Sequence, residues 1–325
     1  MTGIINGTYP FSRCLNCDPL DESAIIGFAE GGFGGATTPF FREQKGLIMM
    51  VAREKIGILI PGYNVAGTIE DVLRAFSPAT LSRVDGIVVI DNRSTDNTFE
   101  ILCGIQQGDD PLAQKLTVIR NVQNYGLGGS LKIGLHHMIE HGFTHFMIIH
   151  SDKQGNSEEI AANFLRHHDR HLRTDAIMAS RFVTGADISG YSGLRTLGNH
   201  VFNILTFLLT GLRISDSGCG IVFFRTAAVE RTAFGGLSNS FFFNPQLNIL
   251  LYGNKDLVID DTPLNWSEPE AESNLKALRY VVGLTRILVK YRLSRLMGGS
   301  GFPSPSGPDW IAGLSHELHE SEKTG

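Results

Sequence analysis

Short branched-aliphatic runs that stop abruptly in Asp, Asn, Ser and Thr are the strongest constraint on how this chain folds. The clearest is VDGIVVI followed by DNRSTDNT, residues 84–98. An apolar run without alternation reads as a strand buried on both faces. The polar cluster after it cannot continue a core, so Asp91 and Asp96 project from a strand end. Open α/β sheets place ligands at that edge. KIGILIPGYN (55–64) and FMIIHSDKQGN (146–156) break in the same way. With a Gly-rich turn between the two acidic breaks, the pattern points to a phosphorylated ligand and a metal ion.

Strands predicted over 56–60, 84–90, 116–119, 143–149 and 175–182 alternate with helices over 68–76, 98–107 and 130–141 and one beyond Asn156. That alternation is the doubly wound pattern. Thr68 with Asp71, and more clearly Asn156 with Glu159, read as helix-capping pairs. Further on come a long helix over 194–212, a polar Gly-rich turn and strand over 213–225, and a helix over 241–251. A short strand over 257–259, ended by Asp260-Asp261-Thr262-Pro263, precedes a last helix over 273–295. Residues 1–52 read as an irregular arm, 53–297 as the main domain, and 298–325 as a disordered tail rich in Gly, Pro and Ser. EGGFGG (30–35) lacks the Gly-Lys-Ser/Thr end of a phosphate-binding loop.

The 325 residues, 42% hydrophobic, suffice for one large α/β domain with appendages. A net charge of −5 makes nucleic acid a poor default partner. A substrate bearing several negative charges then needs a metal or local Arg and Lys. Four cysteines fit a reducing compartment, and Cys14-x-x-Cys17 lacks the second pair of a structural zinc site. The longest apolar stretch, 201–212, is too short to cross a bilayer, and the chain reads as cytoplasmic. The last helix carries Lys276, Arg279, Arg286, Lys290, Arg292 and Arg295, which suits peripheral contact with the anionic inner face of a membrane, or a solvated face.

Three constellations carry chemistry. Pro61, Tyr63, Asn64, Asp91 and Asp96 meet if the first two strands are parallel neighbours; they would receive a nucleoside, or merely build turns. Asp152, with His150, Ser151 and Gln154, offers an oxygen ligand to a hard cation, although His favours softer ions. Asp216, in DSGCG between Arg213 and Arg225, could serve as a base or lie in a tight turn. Asn124, Gly126, Gly128 and Gly129 form a turn whose small residues admit close approach of an anion. The remaining histidines, His136, His137, His141, His145, His167, His168 and His171, show no ligand spacing on one face and read as surface or packing residues.

IPGYN, VIDNRSTDNT, NYGLGGSLKIG, HSDKQGN, ASRF, RTLGN and DSGCGIVFFR, in this order, resemble the family 2 inverting glycosyltransferases over about residues 54–290. The branch most similar is the polyprenyl-phosphate (dolichyl-phosphate-type) hexosyltransferases. The resemblance implies a GT-A type nucleotide-diphospho-sugar transferase fold, an α/β architecture with a mostly parallel central sheet flanked by helices. It also implies a nucleoside-diphosphate sugar donor, a sugar acceptor, and Mg2+ or Mn2+. On it, Pro61, Tyr63, Asn64, Asp91 and Asp96 line the nucleotide pocket, and Asp152 meets the metal, with Gln154 nearby. Arg181 approaches a phosphate, with Arg195 and Asn199 on the next helix. The chain departs from the pattern at Asn92 and His150, each standing for an acid, at Ile221 and Val222, and at Asn244 and Gln246. Acceptor class stays open between a lipid-linked phosphate and a soluble or glycan hydroxyl. A nucleotide-sugar binder of impaired activity is the other reading.

Overall fold

The computed structural model describes residues 53–188, 190–230, 232, 234–267, 274–299, 301–302, 314 and 316–319. The arm expected over 1–52 and most of the expected tail lie outside them. The strands are β1 (Ile56–Gly62), β2 (Gly86–Asp91), β3 (Leu116–Asn121), β4 (His145–Ile148), β5 (Ala176–Ser180), β6 (Val222–Arg225), β7 (Ile259–Pro263) and β8 (His316–His319). The helices are α1 (Ile69–Arg74), α2 (Pro78–Arg83), α3 (Thr98–Gln106), α4 (Pro111–Lys115), α5 (Gly126–Glu140), α6 (Ser157–Arg170), α7 (Gly193–Thr210), α8 (Thr226–Glu230), α9 (Phe243–Gly253) and α10 (Asn274–Leu296).

All eight strands form one sheet in the order β7-β5-β6-β4-β1-β2-β3-β8. Six strands are mutually parallel, and β6 and β8 run against them. This is a GT-A-like mixed sheet flanked by helices. Every residue of β1 and β2 is buried, as uninterrupted apolar runs require of central strands. Alternate residues serve opposite faces. Ile58, Ile60, Val89 and Met147 pack with Leu73, Leu102 and Phe164 of α1, α3 and α6. Leu59, Val88, Ile90 and Phe146 pack with Leu131 and Leu135 of α5 and Leu247 of α9. Each such side chain contributes about 1.5–3 kcal/mol by leaving water.

Asn156 caps α6 as expected, its Oδ1 accepting from Glu159 N at 3.0 Å. Thr68 does not cap α1; its Oγ1 donates to the Ser151 carbonyl at 2.7 Å, tying the β1 and β4 loops together. β7 includes the Asp260–Pro263 run expected to end it, because it pairs in parallel with β5. The expected disordered tail supplies β8, whose residues satisfy the otherwise open backbone edge of β3. Before that strand, Phe302 is buried against Tyr291 of α10.

Candidate active site

The carboxyl ends of β1, β2, β4 and β5, and the loop entering β6, meet along one edge, the ligand edge of such sheets. Most of the predicted site residues lie there, although several face inward. Asp91, at the end of β2, is fully buried. Its Oδ1 accepts from Ser94 N at 3.0 Å, and its Oδ2 stands 3.1 Å from Arg120 Nε without an aligned hydrogen bond. Asp96 accepts from Thr98 N and Thr98 Oγ1, at 3.0 and 2.5 Å, and from Ala66 N at 3.1 Å. Burial pushes its pKa up, but these hydrogen bonds outweigh that and hold it below the usual carboxylate value. Both acids therefore brace the loops after β1 and β2. Asn64, at a φ of 54°, joins them by accepting from Thr95 N at 2.8 Å and donating its own N–H to Ser94 Oγ at 3.0 Å. Pro61 lies buried at the end of β1, its carbonyl accepting from Ser151 Oγ at 2.8 Å. Tyr63 is 45% exposed, an aromatic surface beside this frame.

Asn92, where the related pattern has an acid, uses both ends of its amide internally. Its Nδ2 donates to Asn124 Oδ1 at 2.9 Å, while its Oδ1 accepts from Asn121 Nδ2 at 2.8 Å and Tyr125 N at 2.9 Å. A carboxylate could not make the first of these bonds. The Gly-rich turn differs from expectation. A Cβ at Gly126 would stand 2.5 Å from the Asn239 carbonyl oxygen, and one at Gly128 would stand 2.1 Å from that of Ser238. Gly129 N donates to Asn239 O, and Gly126 N to Asn124 Oδ1. The glycines thus admit the chain's own backbone, and α5 begins at Gly126 rather than at Ser130.

At the centre of the edge, Arg181 and Asp216 form a buried pair. Arg181 Nε donates to Asp216 Oδ2 at 2.7 Å, and Nη2 to Oδ1 at 2.8 Å. Its Nη1 donates to Tyr191 Oη at 3.1 Å, and that oxygen also accepts from Asn199 Nδ2 at 2.6 Å. These contacts occupy three of the five guanidinium N–H groups. Asp216, expected as a base, has both oxygens engaged. Arg195 contributes its carbonyl, which accepts from Asn199 Nδ2.

Asp152 is exposed on the loop after β4, and its Oδ1 accepts from Gln154 N at 3.1 Å. Gln154 in turn accepts from Ser267 N through its own carbonyl. The Nε2 of His150 is enclosed with no hydrogen-bond partner, as is Asn244 Oδ1. A Cβ at Gly220 would stand 1.9 Å from Asn244 Nδ2 and 3.1 Å from His150 Nε2, so a side chain there would displace Asn244. Burial pushes the His150 pKa down; the charge of Asp152 opposes this and that of Arg181 adds to it. The imidazole is therefore neutral. Trp266 stands edge-on to His150 and lies under the Arg181 guanidinium, at centroid distances of 6.2 and 5.5 Å. Tyr191 and Trp266 had no signal in the sequence, since neither sits in a recognisable motif.

An exposed carboxylate on a strand-end loop fits a hard cation that takes most of its ligands from substrate phosphates and water. Asp152 meets that description, whereas His150 forms no three-residue ligand group with it among the described residues. The groups of three that do occur are Glu54 with His145 and His168, and His167 with His171 and Asp260. Both lie at the opposite, amino edge of the sheet. The histidines in them are packing or surface residues, as expected, with His145 and His168 buried against Phe223 and His171 exposed; their grouping is the new feature. They come from separate elements, so spacing along the chain could not reveal them.

The sequence profile of glycosyl transferase family 2 matches residues 57–232, more than half of the chain, and the chain belongs to that family. A relative from Methanococcus voltae, UDP-N-acetylglucosamine–dolichyl-phosphate N-acetylglucosaminyltransferase, is 24% identical over 191 residues, covering 55% of this chain and 73% of its own. Glucosyl-3-phosphoglycerate synthase from Mycobacterium tuberculosis, solved with UDP, superposes with a TM-score of 0.52 at 15% identity, over 76% of this chain and 81% of that one. Mannosyl-3-phosphoglycerate synthase from Rubrobacter xylanophilus gives a TM-score of 0.52 at 14% identity, over 79% of each chain. These structures share the fold.

Proposed function

We propose that this protein transfers a sugar, with inversion, from a nucleoside-diphosphate donor to an acceptor bearing an ionised phosphate. The observation that carries this reading is the placement of exposed Asp152 and the anchored Arg181 at one sheet edge. Tyr63 and the braced loops after β1 and β2 receive the nucleoside. Asp152 holds the divalent cation, Mg2+ or Mn2+, which when bound neutralises charge on the departing diphosphate. Arg181, fixed by Asp216 and Tyr191, turns its remaining N–H groups to a phosphate. The bond from the anomeric carbon to the diphosphate oxygen breaks with its electron pair leaving on the diphosphate. An acceptor oxygen forms the new bond from the opposite face.

A phosphate acceptor needs no proton removed, whereas a hydroxyl acceptor needs a base. Asp216 is committed to Arg181, burial lowers the basicity of His150, and the Asn244 amide does not take up a proton. That set favours an anionic acceptor. A lipid-linked phosphate is favoured by α7 and α10, which pack together and expose Leu197, Ile204, Leu208, Leu293 and Leu296. The α10 sequence carries six basic residues and no acid, which suits an anionic membrane surface. The relative named for dolichyl phosphate supports the same choice.

The test offers the purified protein a panel of nucleoside-diphosphate sugars with Mg2+ or Mn2+. One arm supplies a polyprenyl phosphate in anionic vesicles, and a second supplies 3-phosphoglycerate. A sugar-phosphate-linked lipid is the expected product. Transfer to 3-phosphoglycerate alone discards the lipid while keeping the phosphate acceptor. No nucleoside diphosphate released in either arm overturns the reading.

A further inference from the structure

Two buried histidines and a glutamate converge at the amino edge of the sheet. Glu54 lies two residues before β1, His145 opens β4 in register with Ile56, and His168 sits in the last turn of α6. One ligand atom from each lies within 4.8 Å of the others. His168 Nε2 is 3.0 Å from Glu54 Oε2, and the two imidazole centroids are 4.8 Å apart. His145 is 5% exposed and His168 is 1% exposed, yet His145 Nε2 has no hydrogen-bond partner. Buried polar atoms are normally satisfied, and each exception calls for an account.

We propose that Glu54, His145 and His168 form a site for a divalent transition-metal ion, zinc above others, separate from the sugar-transfer edge. Two imidazoles and one carboxylate with an open fourth position are a donor set that zinc accepts. Thr144 Oγ1, itself accepting from Lys55 N at 2.8 Å, stands 3.0 Å from His145 Nδ1. It orients that ring and leaves Nε2 as the open nitrogen, the outer-shell arrangement of metal-bound histidines. Zinc with ligands about 2.0–2.1 Å away has them about 3.4 Å apart, so the widest pair must close by up to about 1.4 Å. Glu54, whose side chain is 44% exposed and already 3.0 Å from His168, can follow the ion, and the remaining closure falls to the imidazoles. Arg225 is the register partner of His145, and it donates to the Leu172 carbonyl. The bound ion pins the starts of β1 and β4 to the end of α6, three points far apart in sequence. The site stands whether or not the chain transfers sugar.

His167, His171 and Asp260 provide an internal control. There the carboxylate oxygen also accepts from Thr174 at 2.7 Å, His171 is exposed, and neither imidazole leaves a buried nitrogen without a partner. The test uses the metal-stripped full chain, titrated with Co2+ and then with Zn2+. The expected result is visible d–d absorption of low-coordinate cobalt, displacement by zinc, and a raised melting temperature. Glu54→Gln changes a half-exposed side chain and leaves the fold intact. It should weaken zinc by more than about tenfold, beyond the least that loss of an outer-shell partner costs. His171→Ala and Asp152→Ala should keep both the spectrum and the affinity. Absence of cobalt absorption and of any melting shift in the wild type overturns the proposal. So does unchanged affinity in Glu54→Gln, or loss of binding in His171→Ala.

Discussion

Arg181 and Asp216 hold each other through both carboxylate oxygens, at 2.7 and 2.8 Å, with side chains 9% and 1% exposed. Burial alone would lower the Arg181 pKa; the hydrogen bonds and charge of Asp216 reverse this and hold it above its ordinary value. The arginine is therefore permanently charged and fixed in direction. Removing one partner strands a buried charge, which costs about 3–5 kcal/mol. Asp216→Ala should lower unfolding stability by that amount in urea titration and abolish transfer. A loss below about 1 kcal/mol would show that the pair is not a structural anchor.

Asp152 is the contrasting case, exposed and joined to its surroundings by the Gln154 backbone N–H. Surface substitutions away from special features change stability by no more than about 0.5 kcal/mol. Asp152→Ala should therefore melt with the wild type while losing metal-dependent release of nucleoside diphosphate. Retention of full Mg2+- or Mn2+-dependent release would remove Asp152 from the cation site.

Asn92→Asp restores the acid of the related pattern but removes the donor to Asn124 Oδ1. It also places a carboxylate next to Asp91 at a position 5% exposed. A buried acceptor left facing another acceptor costs about 1–3 kcal/mol. The variant should unfold at lower urea by that margin. Greater stability would mean that the Asn92 network is incidental.

The architecture was legible because strands buried on both faces write themselves as unbroken apolar runs, and the ends of β1 and β2 were placed to within two residues. β8 was not, since a four-residue edge strand reading HELH has no apolar run to betray it. β7 was displaced because IDDTP looks like a turn, yet it pairs along β5. The site edge was legible from where the acids fall, but their roles were not. Whether Asp216 is a base or an anchor depends on Arg181, 35 residues away. The role of Asn92 depends on Asn121 and Asn124, 29 and 32 residues away. The glycine turn carried the composition of an anion cradle, and only the approach of Ser238 and Asn239 shows what its small residues admit.

Gly128 and Gly104 should respond oppositely to the same change. A Cβ at Gly128 meets the Ser238 carbonyl oxygen at 2.1 Å and the Phe243 Cβ at 2.8 Å, whereas Gly104, inside α3, has nothing within 4 Å. Gly128→Ala should destabilise by about 1–3 kcal/mol through overpacking. Gly104→Ala should stabilise by about 0.5–1 kcal/mol through helix propensity. Paired urea midpoints check both signs, and a neutral Gly128→Ala would show that the 238–240 segment yields freely.

Lys132, on α5, is buried and donates to the Leu237 carbonyl at 2.6 Å and Asn239 Oδ1 at 2.8 Å. Burial pushes its pKa down to about 8 from the ordinary 10.5. Below the folded value both states carry the proton, and the burial penalty is present in full. Between that value and the unfolded one, the unfolded chain binds more protons, so stability rises with pH. The slope should approach about 1.4 kcal/mol per pH unit between about pH 8 and 10.5. Lys132→Met removes this titration, so the difference between wild type and variant isolates it from other groups. Urea titrations across that range should show the gap between the two proteins moving in favour of the wild type. A gap that stays constant would mean that Lys132 keeps its ordinary pKa in the folded chain.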